Sequence, residues 1–175
     1  MTTDHDEEPT MDPVQYLLDA HQIGQCLLKY PVALDSRDFD LLESLFTPDA
    51  RIDIPAAGVF DPAGYRAASA AGLGRLDATQ HFVGQPVLKI EGDRAWARSY
   101  LLAQHALNAL APAGTLTIGA WYNDELVRRE GSWLIAARTG NAVWWSGNPA
   151  VLGLEGLPNA FPRHEGHLSP AWLGS

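Results

Sequence analysis

The run TLTIGAWYNDELVRREGSWLIAARTGNAVWW, residues 115–145, decides the fold. It holds two segments rich in β-branched and aromatic residues, 115–129 and 133–145, and Arg129-Glu130-Gly131-Ser132 lies between them as a turn. Two long segments of strand composition on either side of a tight turn predict an antiparallel hairpin.

Two more strands are predicted before this hairpin. Residues 78–90 and 94–107 have a similar composition, and the tight turn Glu91-Gly92-Asp93 joins them. Ala111-Pro112-Ala113-Gly114 forms the turn that leads into residue 115. The second half of the chain therefore predicts four strands, each linked to the next by a hairpin.

The first half of the chain has helical periodicity instead. From Pro13 to Leu28, apolar residues recur at helical spacing, and Pro31 is expected to kink or break this helix. A second helix is predicted over residues 39–46, with Asp38 as its N-cap.

A strand over residues 50–54 and a third helix over residues 61–71, with Asp61 as its cap and proline in its first turn, complete this half. Helices followed by a hairpin-linked antiparallel sheet are typical of an α+β domain. A chain of 175 residues suggests one such domain. We expect an acidic disordered tail over residues 1–12, the domain over residues 13–146, and an irregular tail over residues 147–175 that packs on the domain or on a neighbouring subunit.

Charge and composition exclude several classes of partner. The net charge of −9 argues against nucleic acid and anionic membranes, since both need a basic surface. No apolar run is long enough to span a bilayer. The lone cysteine, Cys26, fits a reducing compartment, which predicts a cytoplasmic protein.

Motifs for several kinds of catalysis are missing as well. The sequence has no glycine-rich phosphate loop, no metal-ligand motif and no GxSxG nucleophile. We therefore expect no metal and no cofactor. Acid–base chemistry by histidine and carboxylate side chains remains.

Two residues are the candidates for that chemistry. Asp35 closes the first helical run, and His81 lies at the start of a strand. Taken separately, Asp35 fits a helix-end or turn residue, and His81 fits a structural strand histidine. A carboxylate that bonds one nitrogen of an imidazole would fix its tautomer and leave the other nitrogen as a base.

Short segments around these residues resemble the SnoaL-like family of the nuclear-transport-factor-2-like superfamily. They are LDSRDFD (34–40), RID (51–53), TQHFVG (79–84), IG (118–119) and RREGSW (128–133). The similarity spans roughly residues 14–145 and is to scytalone dehydratase, bile-acid 7α-dehydratase and hexachlorocyclohexane dehydrochlorinase. It implies a cone-shaped α+β barrel, in which a curved, mostly antiparallel sheet packs against N-terminal helices.

The resemblance also implies an activity. Asp35 and His81 match the catalytic dyad of these enzymes, with His81 as general base and Asp35 as the group that orients it. The expected enzyme is a cofactor-independent lyase that eliminates water or a hydrogen halide from a small hydrophobic substrate. A homo-oligomer is implied too, a trimer by resemblance.

Three further residues match substrate-binding positions in one or another of these enzymes. They are Tyr30, His105 and Arg138. Tyr30 could instead be a core residue, His105 a polar residue at a strand end, and Arg138 a member of a structural ion pair.

Four polar residues of the scytalone dehydratase pocket are replaced in this sequence. Leu34 and Ile54 stand in place of two tyrosines, Ala120 in place of a serine, and Tyr122 in place of an asparagine. The replacements argue against scytalone as the substrate and predict a more apolar pocket. The candidate apolar walls, each of which could be ordinary core, are Leu34, Ile54, Phe82, Leu101, Trp121, Trp144 and Trp145.

Two rival functions remain open. The same dyad could serve an isomerase or a polyketide cyclase, which abstract a proton without losing a leaving group. The fold also serves as a non-catalytic ligand-binding module and as a structural subunit of dioxygenases, roles that need no histidine paired to an aspartate.

Overall fold

The first helix, α1 (Pro13–Ser36), is the longest, and it packs along the sheet. The computed structural model describes residues 12–54 and 57–154; the predicted tails at residues 1–11 and 155–175 lie outside this range. Asp12 caps α1 by accepting a hydrogen bond from the Val14 amide, and proline in the first turn needs no amide partner.

The predicted break of this helix at Pro31 is wrong; a kink there is the alternative that the sequence left open. Helix α1 continues through Pro31 to Ser36. Leu27, Tyr30 and Leu34, which flank the proline at helical spacing, are all at most 2% exposed. Because tertiary packing supplies most of a helix's stability, burial on both sides of the proline offsets its missing hydrogen bond.

Two short helices follow, and the predicted N-caps of both are confirmed. Helix α2 (Phe39–Ser44) begins after Asp38, and helix α3 (Pro62–Leu73) begins after Asp61. Both aspartates accept a backbone amide of the first turn. Helix α2 ends before residue 46, where the prediction placed its end, because Phe46 already starts the first strand.

In the described part of the chain, seven strands form one curved sheet that does not close on itself. They are β1 (Phe46–Ile54), β2 (Gly58–Phe60), β3 (Ala78–Val83), β4 (Val87–Glu91), β5 (Arg94–Ala106), β6 (Thr115–Arg129) and β7 (Ser132–Gly147). The order is β2-β1-β7-β6-β5-β3, and β4 pairs with β5 beside β3. Every pair is antiparallel except β1 with β7. The predicted α+β class and the cone-type architecture are confirmed, with the cone left open.

The predicted strand over residues 78–90 is two strands. Residues 84–86 separate β3 from β4, and Pro86 has no amide to give to a continuous ladder. Both halves still pair with β5, as Val83 lies opposite Leu101 and Val87 opposite Arg98. Strand β2 was not predicted, since three residues are too few to show a period.

Strand alternation and pairing register put one set of side chains on the inner face of the sheet, toward α1. Register aligns His81 with Ala103, His105 with Leu116, and Asp124 with Arg138. Beyond β7, a single 3₁₀ turn (Pro149–Leu152) folds back on the domain and buries Val151 completely. The predicted irregular tail therefore begins with a packed segment. Among the described helices, none is long and apolar enough to cross a membrane.

Candidate active site

Asp35 and His81 lie in direct contact, although 46 residues separate them in the chain. The His81 Nδ1 atom is 2.7 Å from Asp35 Oδ1, and the His81 backbone amide donates to Asp35 Oδ2 at 2.8 Å. Helix α1 delivers the carboxylate at its last turn, and strand β3 delivers the histidine on the inner face. The aspartate thus holds both the ring and the backbone of the same residue.

Thr79 adds a third hydrogen bond to the carboxylate. Its hydroxyl donates to Asp35 Oδ1 at 2.9 Å. Burial alone would raise the pKa of Asp35, but the hydrogen bonds from His81 and Thr79 outweigh it and hold that pKa below its usual value. Asp35 is therefore ionised at neutral pH.

The ionised carboxylate fixes the proton positions of the histidine. A carboxylate can only accept hydrogen bonds, so Nδ1 of His81 must carry the proton in this pair. In the neutral ring, Nε2 then keeps its lone pair and can accept a proton. The His81 side chain is 6% exposed, whereas that of Asp35 is 26% exposed. In geometry, the pair resembles the histidine–carboxylate part of a catalytic triad.

A second histidine lies next to the first. The rings of His105 and His81 are 5.4 Å apart and nearly perpendicular. Burial, followed by the neighbouring His81, lowers the pKa of His105 to about 4, so this ring is neutral at pH 7. One ring nitrogen bonds the Leu116 backbone, and Nδ1 is buried with no partner in the described part of the chain.

Tyr30 and Arg138 form a separate buried cluster. The Tyr30 hydroxyl is in very short hydrogen-bond contact with Tyr65 and lies 3.3 Å from the Tyr122 hydroxyl. The Arg138 guanidinium lies 4.0 Å from the Tyr30 ring centre and 4.2 Å from that of Tyr122. It forms two hydrogen bonds with Asp124, at 2.6 and 2.9 Å. The ion-pair alternative for Arg138 is thus present in the structure.

Burial dominates the electrostatics of this cluster. It raises the pKa of all three tyrosines, so their hydroxyls stay protonated. Burial alone would lower the pKa of Arg138, but Asp124 outweighs it and raises that pKa. Among the described residues, no hydrogen bond or ion pair joins Tyr30 or Arg138 to Asp35 or His81.

Three of the predicted pocket walls lie on the outer face of the sheet, away from the dyad. Phe82 follows inward-facing His81 and is 71% exposed. Trp144 is 48% exposed and covers the outward side of Gly119. Trp121 precedes inward-facing Tyr122 and stacks under Arg98 on the outer face. The expectation that these three side chains enclose a substrate beside His81 does not hold, because strand alternation turns them outward.

The remaining candidate walls lie on the inner side. Leu34 and Leu101 are buried in the main core, and Ile54 packs against it. Trp145 lies opposite Ile118 and packs with the smaller core cluster below the 3₁₀ turn.

An open cleft of about 500 Å³ lies at the β3 edge of the sheet. Its lining includes Asp35 and Thr79 of the site, together with Ala78, Gln80, Gln104 and Ala106. No group of three or more His, Cys, Asp or Glu side chains in the described ranges is arranged to hold a metal ion.

Two site residues were missed by the sequence reasoning. Thr79 could have been found, because it lies two residues before His81 and strand alternation puts both on one face. Tyr65 lies on α3 with no local signal, and only the fold brings its hydroxyl to Tyr30.

Comparison with known proteins places this geometry in a family. The sequence model of the SnoaL-like domain matches residues 15–139. An uncharacterized protein of Mycobacterium tuberculosis is 34% identical over 136 residues, which cover 74% of this chain and 88% of the relative.

Solved structures share the fold. A scytalone dehydratase-like protein from Novosphingobium aromaticivorans has a TM-score of 0.72 at 19% identity, over 87% of this chain and 97% of that one. A type 3 hexachlorocyclohexane dehydrochlorinase from Novosphingobium barchaimii has a TM-score of 0.70 at 19% identity, over 84% and 99% of the two chains. The chain belongs to the SnoaL-like domain family of the nuclear-transport-factor-2-like superfamily.

Proposed function

We propose that the protein is a cofactor-independent lyase that uses His81 as a general base to eliminate water or a hydrogen halide from a small hydrophobic molecule. The observation that carries the proposal is the partly buried contact between His81 Nδ1 and Asp35 Oδ1 at 2.7 Å. The two related folds named above, a dehydratase-like protein and a dehydrochlorinase, support the same reaction class.

In this proposal, the reaction begins at His81 Nε2. The imidazole removes a proton from carbon, and the electron pair of the broken C–H bond becomes a carbon–carbon double bond. The bond to the β-leaving group breaks at the same time or afterwards, and that group departs as hydroxide or halide. Asp35 stabilises the imidazolium that forms, which then returns its proton to the departing group or to solvent.

His105 contributes to binding in this scheme, not to proton transfer. Its ring is neutral near pH 7, because its pKa lies at about 4. The buried Nδ1 of His105 has no partner among the described residues, and it lies beside His81. A hydroxyl group on the substrate can donate to or accept from this nitrogen in either tautomer, which favours a hydroxylated substrate.

A second candidate, an isomerase or cyclase with the same dyad, is favoured by a donor of the tyrosine cluster. Arg138 Nη1 lies beside these tyrosines and is buried without a partner among the described residues. An unpartnered buried donor suits a substrate oxygen that becomes an enolate, and an enolate can be reprotonated elsewhere instead of losing a group.

A self-associated form is the further part of this proposal. The outer face exposes large apolar side chains on neighbouring strands, with Phe82 and Tyr100 each 71% exposed and Leu102 44% exposed. Such a patch is typical of an interface. Together with the family resemblance, it favours a homotrimer, and light scattering coupled to size-exclusion chromatography measures the mass directly.

The test is a panel of small cyclic alcohols, halides and hydroxyketones incubated with the protein in D2O. Mass spectrometry separates the outcomes, since elimination loses water or a hydrogen halide, whereas isomerisation keeps the mass and adds deuterium. The His81→Gln variant should lose at least a thousandfold in rate. His21→Gln, an exposed histidine on α1, is the matched control and should match the wild type.

Two results would contradict the lyase assignment. Full turnover by the His81→Gln variant would remove the base from the mechanism. Tight binding of a panel compound without any change of mass or deuterium content would indicate the ligand-binding alternative.

A further inference from the structure

A chain of hydrogen bonds continues from the dyad to a cation at the end of α1. Thr79 Oγ1 lies 2.9 Å from Asp35 Oδ1 and 2.7 Å from Arg37 Nη1. A guanidinium can only donate, so Thr79 must accept from Arg37. The single proton of the threonine hydroxyl is then free to point at the carboxylate. The direction of the chain is therefore fixed as Arg37 to Thr79 to Asp35.

The backbone at Arg37 makes this contact possible. Arg37 ends α1 in the left-handed region, with φ of 62°, and its amide bonds the last carbonyls of the helix. The turn folds the side chain back under the helix end, where Nη1 also donates to the Leu34 carbonyl at 2.7 Å. Glycine is the residue that adopts this conformation most readily, but glycine would leave Thr79 without its donor.

The charge of Arg37 also acts on the site. It is one of the groups that lower the pKa of His105, after burial and His81. A cation near the dyad partly compensates the negative charge of Asp35. The chain therefore combines a directed hydrogen bond with an electrostatic contribution.

We propose that Arg37 and Thr79 are positioning residues of the dyad: their hydrogen-bond chain fixes the orientation of the Asp35 carboxylate and thereby keeps the proton of His81 on Nδ1. The proposal rests on the proposed function, because it is the general-base role that requires Nε2 to be unprotonated. Neither residue touches the reacting atoms. Without the chain, only the two contacts with His81 hold the carboxylate, so its orientation is less restricted and the commoner Nε2-protonated form of the ring becomes more populated.

The test measures the tautomer directly and needs no substrate. Nitrogen chemical shifts of ¹⁵N-histidine-labelled protein report which ring nitrogen of His81 is protonated at pH 8, and a His81→Gln sample assigns the signal. The wild type should show the Nδ1-protonated form. Thr79→Val, which removes the hydroxyl at nearly constant shape, and Arg37→Met should both shift the population toward the Nε2-protonated form. Thr79→Ser should restore the wild-type spectrum.

A double variant tests whether the two residues act in series. If Arg37 acts through Thr79, then Arg37→Met should add no further change in the Thr79→Val background. Additive changes, or an Arg37→Met protein with the wild-type tautomer, would overturn the proposal. Should Thr79→Val fail to fold, Arg37→Met alone gives the same decision, because it leaves the Thr79 hydroxyl in place.

Matched control variants distinguish the loss of the Arg37–Thr79–Asp35 hydrogen-bond chain from general effects of substitution. Ser36→Ala removes an exposed hydroxyl that bonds only the Val32 carbonyl, and Arg51→Met removes an exposed cation of β1. Neither should alter the His81 signal. With a substrate in hand, Thr79→Val should lower kcat by about ten- to a hundredfold, the typical effect of losing one hydrogen bond to a charged group. A wild-type protein that turns over no panel compound would count against the proposed function, while the spectra would still decide the positioning role.

Discussion

Replacing Asp35 with asparagine should abolish turnover while the domain stays folded. The carboxylate accepts three hydrogen bonds, at 2.7 Å from His81 Nδ1, 2.8 Å from the His81 amide and 2.9 Å from Thr79. An asparagine side chain has one oxygen to accept and one NH2 group that can only donate. It cannot satisfy both sides of this site.

The side-chain amide of the asparagine can adopt two orientations, which differ in free energy. If its oxygen faces Nδ1, its NH2 group meets the His81 amide, and a buried donor is left unsatisfied at about 1–3 kcal/mol. If its oxygen faces the amide, its NH2 group donates to Nδ1, and the ring proton moves to Nε2. The second arrangement makes every bond to His81, so we expect it to prevail, with the base blocked.

The expected loss in kcat is about 10⁴-fold, the size seen when an Asp-to-Asn change reverses the tautomer of a His–Asp pair in a serine protease. Stability should fall by only about 1.5–3 kcal/mol, the cost of hydrogen bonds to a charged group, or roughly 3–12 °C in Tm for a chain of this size. The assay therefore compares initial rates at 25 °C with urea unfolding of the same samples. A variant that keeps more than about a tenth of the wild-type rate would refute the tautomer reasoning.

Three further predictions concern stability and reactivity. Arg138→Met should cost about 3–5 kcal/mol in urea unfolding because it leaves Asp124 buried and uncompensated, and a combined Arg138→Met and Asp124→Leu protein should recover more than half of that loss. Arg128 holds the pKa of Asp19 below its usual value. This pair therefore stabilises the fold above the unfolded-state pKa of about 3.9, and the stabilisation is lost as the pH falls through the folded-state pKa. The difference in unfolding free energy between wild type and Asp19→Asn should therefore decrease below about pH 4. Burial raises the pKa of Cys26 to about 11, so a disulfide reagent at pH 7.5 should modify it only after urea unfolding, and rapid labelling of the native protein would contradict the packing.

Much of the fold could be predicted because its signals are local. The hairpin of β6 and β7 follows from composition and the Glu130-Gly131 turn, and the helix starts at Asp38 and Asp61 follow from capping chemistry. Pro31 misled the prediction, because the burial that carries α1 past it comes from residues far away in the chain. Rules based on neighbouring residues predict the free-energy cost of a proline in a helix, but not whether tertiary packing offsets that cost.

The candidate site divides along the same line. The residue types of the dyad and the alternation of the strands could be predicted, since both depend on short segments. Which face of the sheet meets α1 depends on packing between distant segments, and that packing turns Phe82, Trp121 and Trp144 away from His81.

The pairing register of strands β6 and β7 also depends on tertiary contacts. Strands β6 and β7 shift register between Glu125 and Leu126, and this bulge sets Asp124 opposite Arg138; a second shift, between Gly119 and Ala120, sets Gly119 opposite Trp144. A register shift of one residue exchanges the two faces of a strand. The free-energy cost of such a shift depends on contacts with the partner strand and not on the strand's own sequence. The chain from Arg37 through Thr79 to Asp35 has the same origin, because it closes only when the end of α1 reaches the start of β3.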